Sequence, residues 1–207
     1  MEFNDLITQL KHDSEVYHFC EEGKTGLARS TSALECFSFL RENIMYCFRS
    51  KYHHAIAEKV ADWYARWKDE FNRCGIWVNE HTPESKGIVL LTEENIHDVG
   101  LGDAHLNSFP VNGKERCYLF GNKRMSIQGC AHSQIYSRNP AASFSLEEYS
   151  YGFIHDARKV DVKDHASCYA ENSKVRSSGH CQLFLTPTCK WKNDGHGECE
   201  TIQHVGF

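Results

Sequence analysis

Asp156-Ala157-Arg158-Lys159-Val160-Asp161-Val162 is followed by Asp164-His165-Ala166-Ser167-Cys168-Tyr169-Ala170 and then by Asn172-Ser173-Lys174-Val175-Arg176-Ser177. Each run opens on Asp or Asn, which favour turns. Each then carries a small residue, and the first two carry apolar residues two apart: Val160 and Val162, Cys168 and Ala170. Side chains two apart on an extended chain point to the same side. One unit therefore reads as one short strand plus one corner, with a pattern close to G/D-N-A-x-V-x-A-x.

Working outward in steps of eight, the same frame takes in 121–128, 129–136, 137–144 and 145–152, a longer unit over 153–163, and then 179–186 and 187–194. Its third position holds Ala131, Ala166, Cys181 and Cys189, with Ala157 and Ser173 displaced by one residue. Its fifth holds Met125, Ser133, Ala141, Tyr149, Cys168, Leu183 and Trp191. Its seventh holds Ile127, Ile135, Tyr151, Ala170 and Leu185. These positions are expected to face an interior, and the frame is most degenerate between Ser137 and Phe153. So short a strand cannot bury its apolar side alone, whereas parallel coils stacked on one another enclose a continuous column.

These runs resemble the octad-repeat β-helix proteins of bacteria and phages, with their "DNAxVxAxGNAxVxA" stretches. The resemblance implies an α+β chain, with a mainly helical region over 1–113 and a short single-stranded parallel β-helix over 114–207 that ends in a Cys/His-rich tail. It also implies a phage or prophage setting and an inhibitor of a host defence complex, such as a CRISPR-Cas effector, that binds protein or its RNA. Hexapeptide-repeat acyltransferases form β-helices as well, but no six-residue period is kept here.

The region before the repeat is patterned for helices. Phe3, Leu6, Ile7 and Leu10 share one face of a short helix. Ser32 and Glu35 form a capping box ahead of Leu34, Phe37, Leu40, Ile44 and Phe48, and Ile56, Val60, Trp63, Tyr64, Trp67 and Phe71 make a wide apolar stripe. Glu21 to Gly26 reads as a turn. Ile76-Trp77-Val78 and Ile88 to Leu91 read as strands, and the turn-rich stretch from Gly100 to Gly113 as the boundary.

Charge divides along the same line. Residues 1–113 carry 11 Lys and Arg against 18 Asp and Glu, a net −7; residues 114–194 carry 12 against 8, a net +4. A local basic excess suits an acidic partner, RNA included. The residues assigned to that contact are Arg116, Lys123, Arg124, Arg138, Arg158, Lys159, Lys163, Lys174 and Arg176. The alternative reading is a nuclease or other nucleotide-cleaving enzyme working through His53 and His54, because imidazole titrates near neutrality. Cys181, Cys189, His196 and Cys199 are the alternative metal ligands, although no CxxC pair is present. Glu93, Glu94, Asp98 and Asp103 read as a solvated acidic turn. No apolar run reaches the ~18 residues of a membrane span, and the acidic start is no secretory signal. The expectation is a cytoplasmic protein, in the host cytoplasm if phage-encoded, without a cofactor and with its ten Cys as reduced thiols.

Overall fold

The computed structural model describes residues 3–92, 108–120 and 124–206. The chain divides into two compact units, residues 1–76 and 77–207. The division anticipated at 113/114 lies inside the second.

The first unit holds five helices: α1 (Phe3–Val16), α2 (Glu21–Arg29), α3 (Ala33–Glu42), α4 (Ile44–Arg49) and α5 (His53–Arg73). The Ser32 half of the capping box forms at α3, while Glu35 reaches one residue further back. Ser32 Oγ accepts from Glu35 N at 3.2 Å, and Glu35 Oε2 accepts from Thr31 N at 2.6 Å. The Thr31 amide, joined by its hydroxyl at 3.0 Å, holds the Glu35 carboxyl below its ordinary range. The apolar stripe packs as anticipated, with the Phe37 and Phe71 rings 4.0 Å apart. The stretch from Glu21 to Gly26 is a helix rather than a turn. Cys20 Sγ caps it by accepting from Gly23 N at 3.3 Å, and two glutamates in the first turn suit the helix dipole. Gly26 serves there for space, since a Cβ would lie 2.4 Å from the Phe39 ring.

The second unit is a parallel β-solenoid of about seven turns. Its strands are β1 (Ile76–Val78), β2 (Lys86–Leu91), β3 (Ser108–Val111), β4 (Lys114–Leu119), β5 (Ser126–Gly129), β6 (Gln134–Ser137), β7 (Ser143–Leu146), β8 (Tyr151–His155), β9 (Lys159–Val162), β10 (Ser167–Glu171), β11 (Lys174–Ser177), β12 (Gln182–Leu185), β13 (Lys190–Asn193) and β14 (Glu198–Thr201). The even strands, preceded by β1, make sheet A; the odd strands from β3 to β13 make sheet B. Each octad is thus one strand and one corner, and two octads close one coil. Val160, Val162, Ala166, Cys168, Ala170, Val175, Leu183 and Leu185 fill the interior between the sheets.

The corners follow from backbone chemistry. Where sheet B hands over to sheet A, Ala131, Glu148, Asp164 and Gly179 take left-handed φ values of 54°, 55°, 55° and 83°. Asp156 and Asn172 do the same at the opposite corner, at 58° and 49°. Asp and Asn tolerate this region better than other side chains. Gly179 is required, because a Cβ would stand 2.8 Å from the Asp164 backbone nitrogen.

The octad frame fails in the middle of the repeat. Ala131 sits at a corner, although Ser133 and Ile135 are buried where the frame sets them; Ala142 is buried in place of Ala141; Tyr149 and Tyr151 are 53% and 40% exposed. The cause is coil length. Ser143 pairs with Lys159, 16 residues on, but Ser126 pairs with Ser143, 17 on, and Ser108 with Ser126, 18 on. One added residue reverses which side chains face inward. Lys86 pairs with Lys114, so the first coil is longer still.

At that end Glu115 is a buried carboxylate. It accepts from Thr82 N at 3.1 Å, Thr82 Oγ1 at 2.7 Å and Asn112 N at 2.9 Å. These bonds fasten the Pro83 loop to β4. A carboxyl group buried this deeply requires hydrogen-bond donors of this kind.

Candidate binding face

On the outer side of sheet B, β9, β11 and β13 present charged residues at alternate positions, with Val160, Val162 and Val175 turned inward between them. Lys174 pairs in register with Lys190, and the Val175–Val160 pairing sets Lys159 beside Lys174. Three lysines therefore form one column at the ~4.8 Å spacing of neighbouring strands. Arg176 stands in the next column, between Asp161 and Lys192. Like charges directly opposite each other cost stability, so nothing in the fold itself asks for this column.

Carboxylates neutralise part of the face. Lys159 pairs with Asp161 and Arg176 with Asp194, and Lys192 lies 3.0 Å from Asp194. Lys192 and Arg176 hold the Asp194 carboxyl below its usual range. Lys174 and Lys190 make no ion pair among the described residues. Five cations thus face two carboxylates, and exposed Arg158 adds a further charge at the adjoining corner.

The structure gathers Lys159, Lys174 and Arg176 on this face, with Arg158 at its corner, and scatters the other candidates. Arg116 is on β4, in sheet A. Arg124 precedes β5, coils away from the lysine column. Arg138 lies at the corner after β6. Lys163 is at the corner after β9, held by Glu147 at 2.6 Å. That pairing lowers the Glu147 pKa and raises that of Lys163. Lys123 lies outside the described residues, as do Glu93, Glu94, Asp98 and Asp103. Lys190 and Lys192 are members that sequence reasoning missed. Their signal was the strand alternation around Trp191, which sets both of its neighbours outward.

Sheet A presents rings instead. Tyr118, Tyr136, Phe153, Tyr169 and Phe184 stack along its outer side, with centroids 4.7, 4.8, 5.0 and 4.4 Å apart and planes within 8°. A second ladder, His132, Tyr149, His165, His180 and His196, climbs one corner at 5.2 to 5.9 Å. In both ladders neighbouring ring faces lie against one another, which leaves no gap between rungs for a base to enter, and Tyr118 is buried at its end of the first.

His53 and His54 open α5 with their rings 4.0 Å apart, and His53 Nδ1 lies 2.9 Å from Ser50 O. Cys181 points into the solenoid interior. Cys189 lies at the corner after β12 with its Sγ 3.3 Å from Ala170 O, Cys199 is exposed on β14, and His196 stacks on His180. Among the described residues no three His, Cys, Asp or Glu side chains gather to hold a metal. All ten thiols are unpaired, and burial pushes those of Cys117 and Cys168 far up and Cys47 to about 12.

Within the helical unit a cavity of about 350 Å³ is lined by Leu10, Asp13, Phe37, Tyr46, Cys47 and Trp63, among others. Asp13 is 5% exposed, and among the described residues neither its Oδ2 nor Trp63 Nε1 has a hydrogen-bond partner. Burial raises the Asp13 pKa against the pull of Lys59 and His12. No helix among the described residues is long and apolar enough to cross a membrane. No protein-family model, curated protein or solved structure matches the chain.

Proposed function

We propose that this is a non-enzymatic binding protein whose sheet B face docks the RNA of a ribonucleoprotein complex. The reading rests on the in-register column Lys159, Lys174, Lys190, flanked by Arg176 and Lys192. A column of like charges weakens the fold that carries it, and an anionic backbone laid along it removes that cost. Stacked coils hold the cations in place beforehand, so little ordering is needed on binding. The resemblance to phage octad-repeat proteins extends the proposal: the partner would be a host defence complex such as a CRISPR-Cas effector, and the protein its inhibitor.

Pull-down from host lysate, followed by titration of the recovered complex or its RNA, tests this. With roughly three phosphates neutralised, log K against log salt should fall with a slope of about −2 for a single strand. Arg158→Glu with Lys174→Glu should lower affinity at least tenfold at about 0.1 M salt and flatten that slope. Unchanged affinity in the double variant would remove the face from the contact.

A further inference from the structure

The last coil leaves two strand edges open. β13 ends sheet B and β14 ends sheet A. Among the described residues each is bonded on one side only, to β11 and β12, and all eight of their residues are exposed. The two edges carry opposite charge in the same alternation: Lys190-Trp191-Lys192-Asn193 on β13 and Glu198-Cys199-Glu200-Thr201 on β14. The lysines continue the outer columns of sheet B and the glutamates those of sheet A. Trp191 continues the interior column of Val175, yet it is 42% exposed where Val175 is 3%. Cys199 likewise continues the column of buried Leu183. The apolar interior therefore runs out into solvent at this end.

We infer that this coil is a self-complementary edge on which a second copy of the chain seats, β13 of each copy pairing antiparallel with β14 of the other. Two arguments select that arrangement. The first is charge. Pairing β13 with its own copy sets Lys against Lys and pairing β14 with its copy sets Glu against Glu, whereas crossing them sets Lys against Glu, and opposite charges across an antiparallel pair are stabilising. The second is pitch. A coil rises one strand spacing, so β14 stands about half a spacing, ~2.4 Å, beyond β13. A two-fold axis along the strands makes the two β13-to-β14 gaps equal, and both sheets continue across the interface. An axis across the strands makes the like-to-like gaps differ by a full spacing, ~4.8 Å, so only one sheet can close.

The alternation then fixes the register. Lys190 faces Glu200, Trp191 faces Cys199 and Lys192 faces Glu198, each across the interface. Both edges are satisfied and Trp191 is covered, which is how a stable protein manages an open sheet edge.

Sedimentation equilibrium of the full chain over a concentration series tests the inference. A dimer weakened by salt is expected. Lys190→Glu with Lys192→Glu should raise the dimer dissociation constant at least tenfold, and so should Glu198→Lys with Glu200→Lys. An equimolar mixture of the two variants should restore the dimer, because each then offers the charge the other needs. Circular dichroism establishes that both variants are folded. Trp191→Cys, mildly oxidised, should form a reducible covalent dimer through Cys199 of the other copy, lost on adding Cys199→Ser. A monomer up to about millimolar protein, dimerisation indifferent to both charge variants, or a covalent dimer that survives Cys199→Ser would each overturn it.

Discussion

Phe153 is the middle rung of the sheet A ladder, stacked on Tyr136 at 4.8 Å and on Tyr169 at 5.0 Å. Phe184 is its last rung, stacked on Tyr169 at 4.4 Å and followed in the next coil by Glu200. Both are half-buried, so truncation to Ala removes a similar burial term, about half of the ~3–5 kcal/mol for a fully buried Phe. They differ in the number of ring neighbours. Each stacked pair contributes about 0.5–1.5 kcal/mol beyond area. Phe153→Ala should therefore cost roughly 3–4 kcal/mol and Phe184→Ala about 1 kcal/mol less. Phe153→Leu, which keeps most of the apolar bulk, isolates the stacking share of its two pairs at about 1–3 kcal/mol. Urea unfolding followed by far-ultraviolet circular dichroism reads the difference. At a slope of about 2 kcal/mol per M, the two alanine variants should part by roughly 0.5 M in midpoint. Equal midpoints, or a greater loss at Phe184, would mean that the rings are aligned by the strands without contributing to stability.

Asp13→Asn should raise the melting temperature at pH 7 by a few degrees. Burial raises the folded-state pKa of Asp13 above its ordinary 3.8, so the stability linked to its protonated form is complete below that value and is lost as pH rises through the raised one. The advantage of the variant should accordingly shrink to nothing near pH 3, which scanning calorimetry at the two pH values checks. Glu115→Ala strands the three donors that Glu115 accepts from and should cost about 3 kcal/mol in chemical denaturation, with Glu115→Gln, which keeps an oxygen acceptor, costing less.

The solenoid is legible in the sequence where coil length is constant. From Lys159 to Leu185 the register steps are 15 or 16 residues, and the octad frame assigns Val160, Cys168, Ala170 and Leu183 to the interior where the structure has them. Toward the N-terminal end the coils lengthen, and a fixed frame turns Tyr149 and Tyr151 inward against their exposure. The strands of the first coil read as a separate pair because Lys86 and Lys114 are paired across 28 positions. The helix at Glu21 was hidden by its two glycines, whose helical cost is met by the Cys20 cap and by the Phe39 ring lying over Gly26. The basic face was half legible: residue type names Lys159, Lys174 and Arg176, but only strand pairing shows that Lys190 completes their column while Arg116 lies on the other sheet. The edge at β13 and β14 needed the topology, since the sequence does not say where stacking stops.

Because every column repeats once per coil, the solenoid behaves as an extensible ruler. Duplicating one coil of about 16 residues would lengthen it by one strand spacing, ~4.8 Å, and add a rung to every ladder at once. Reach, number of cations and length of the ring stacks are therefore tied to a single integer, which insertion or deletion of whole coils can change without redesigning any residue already in place.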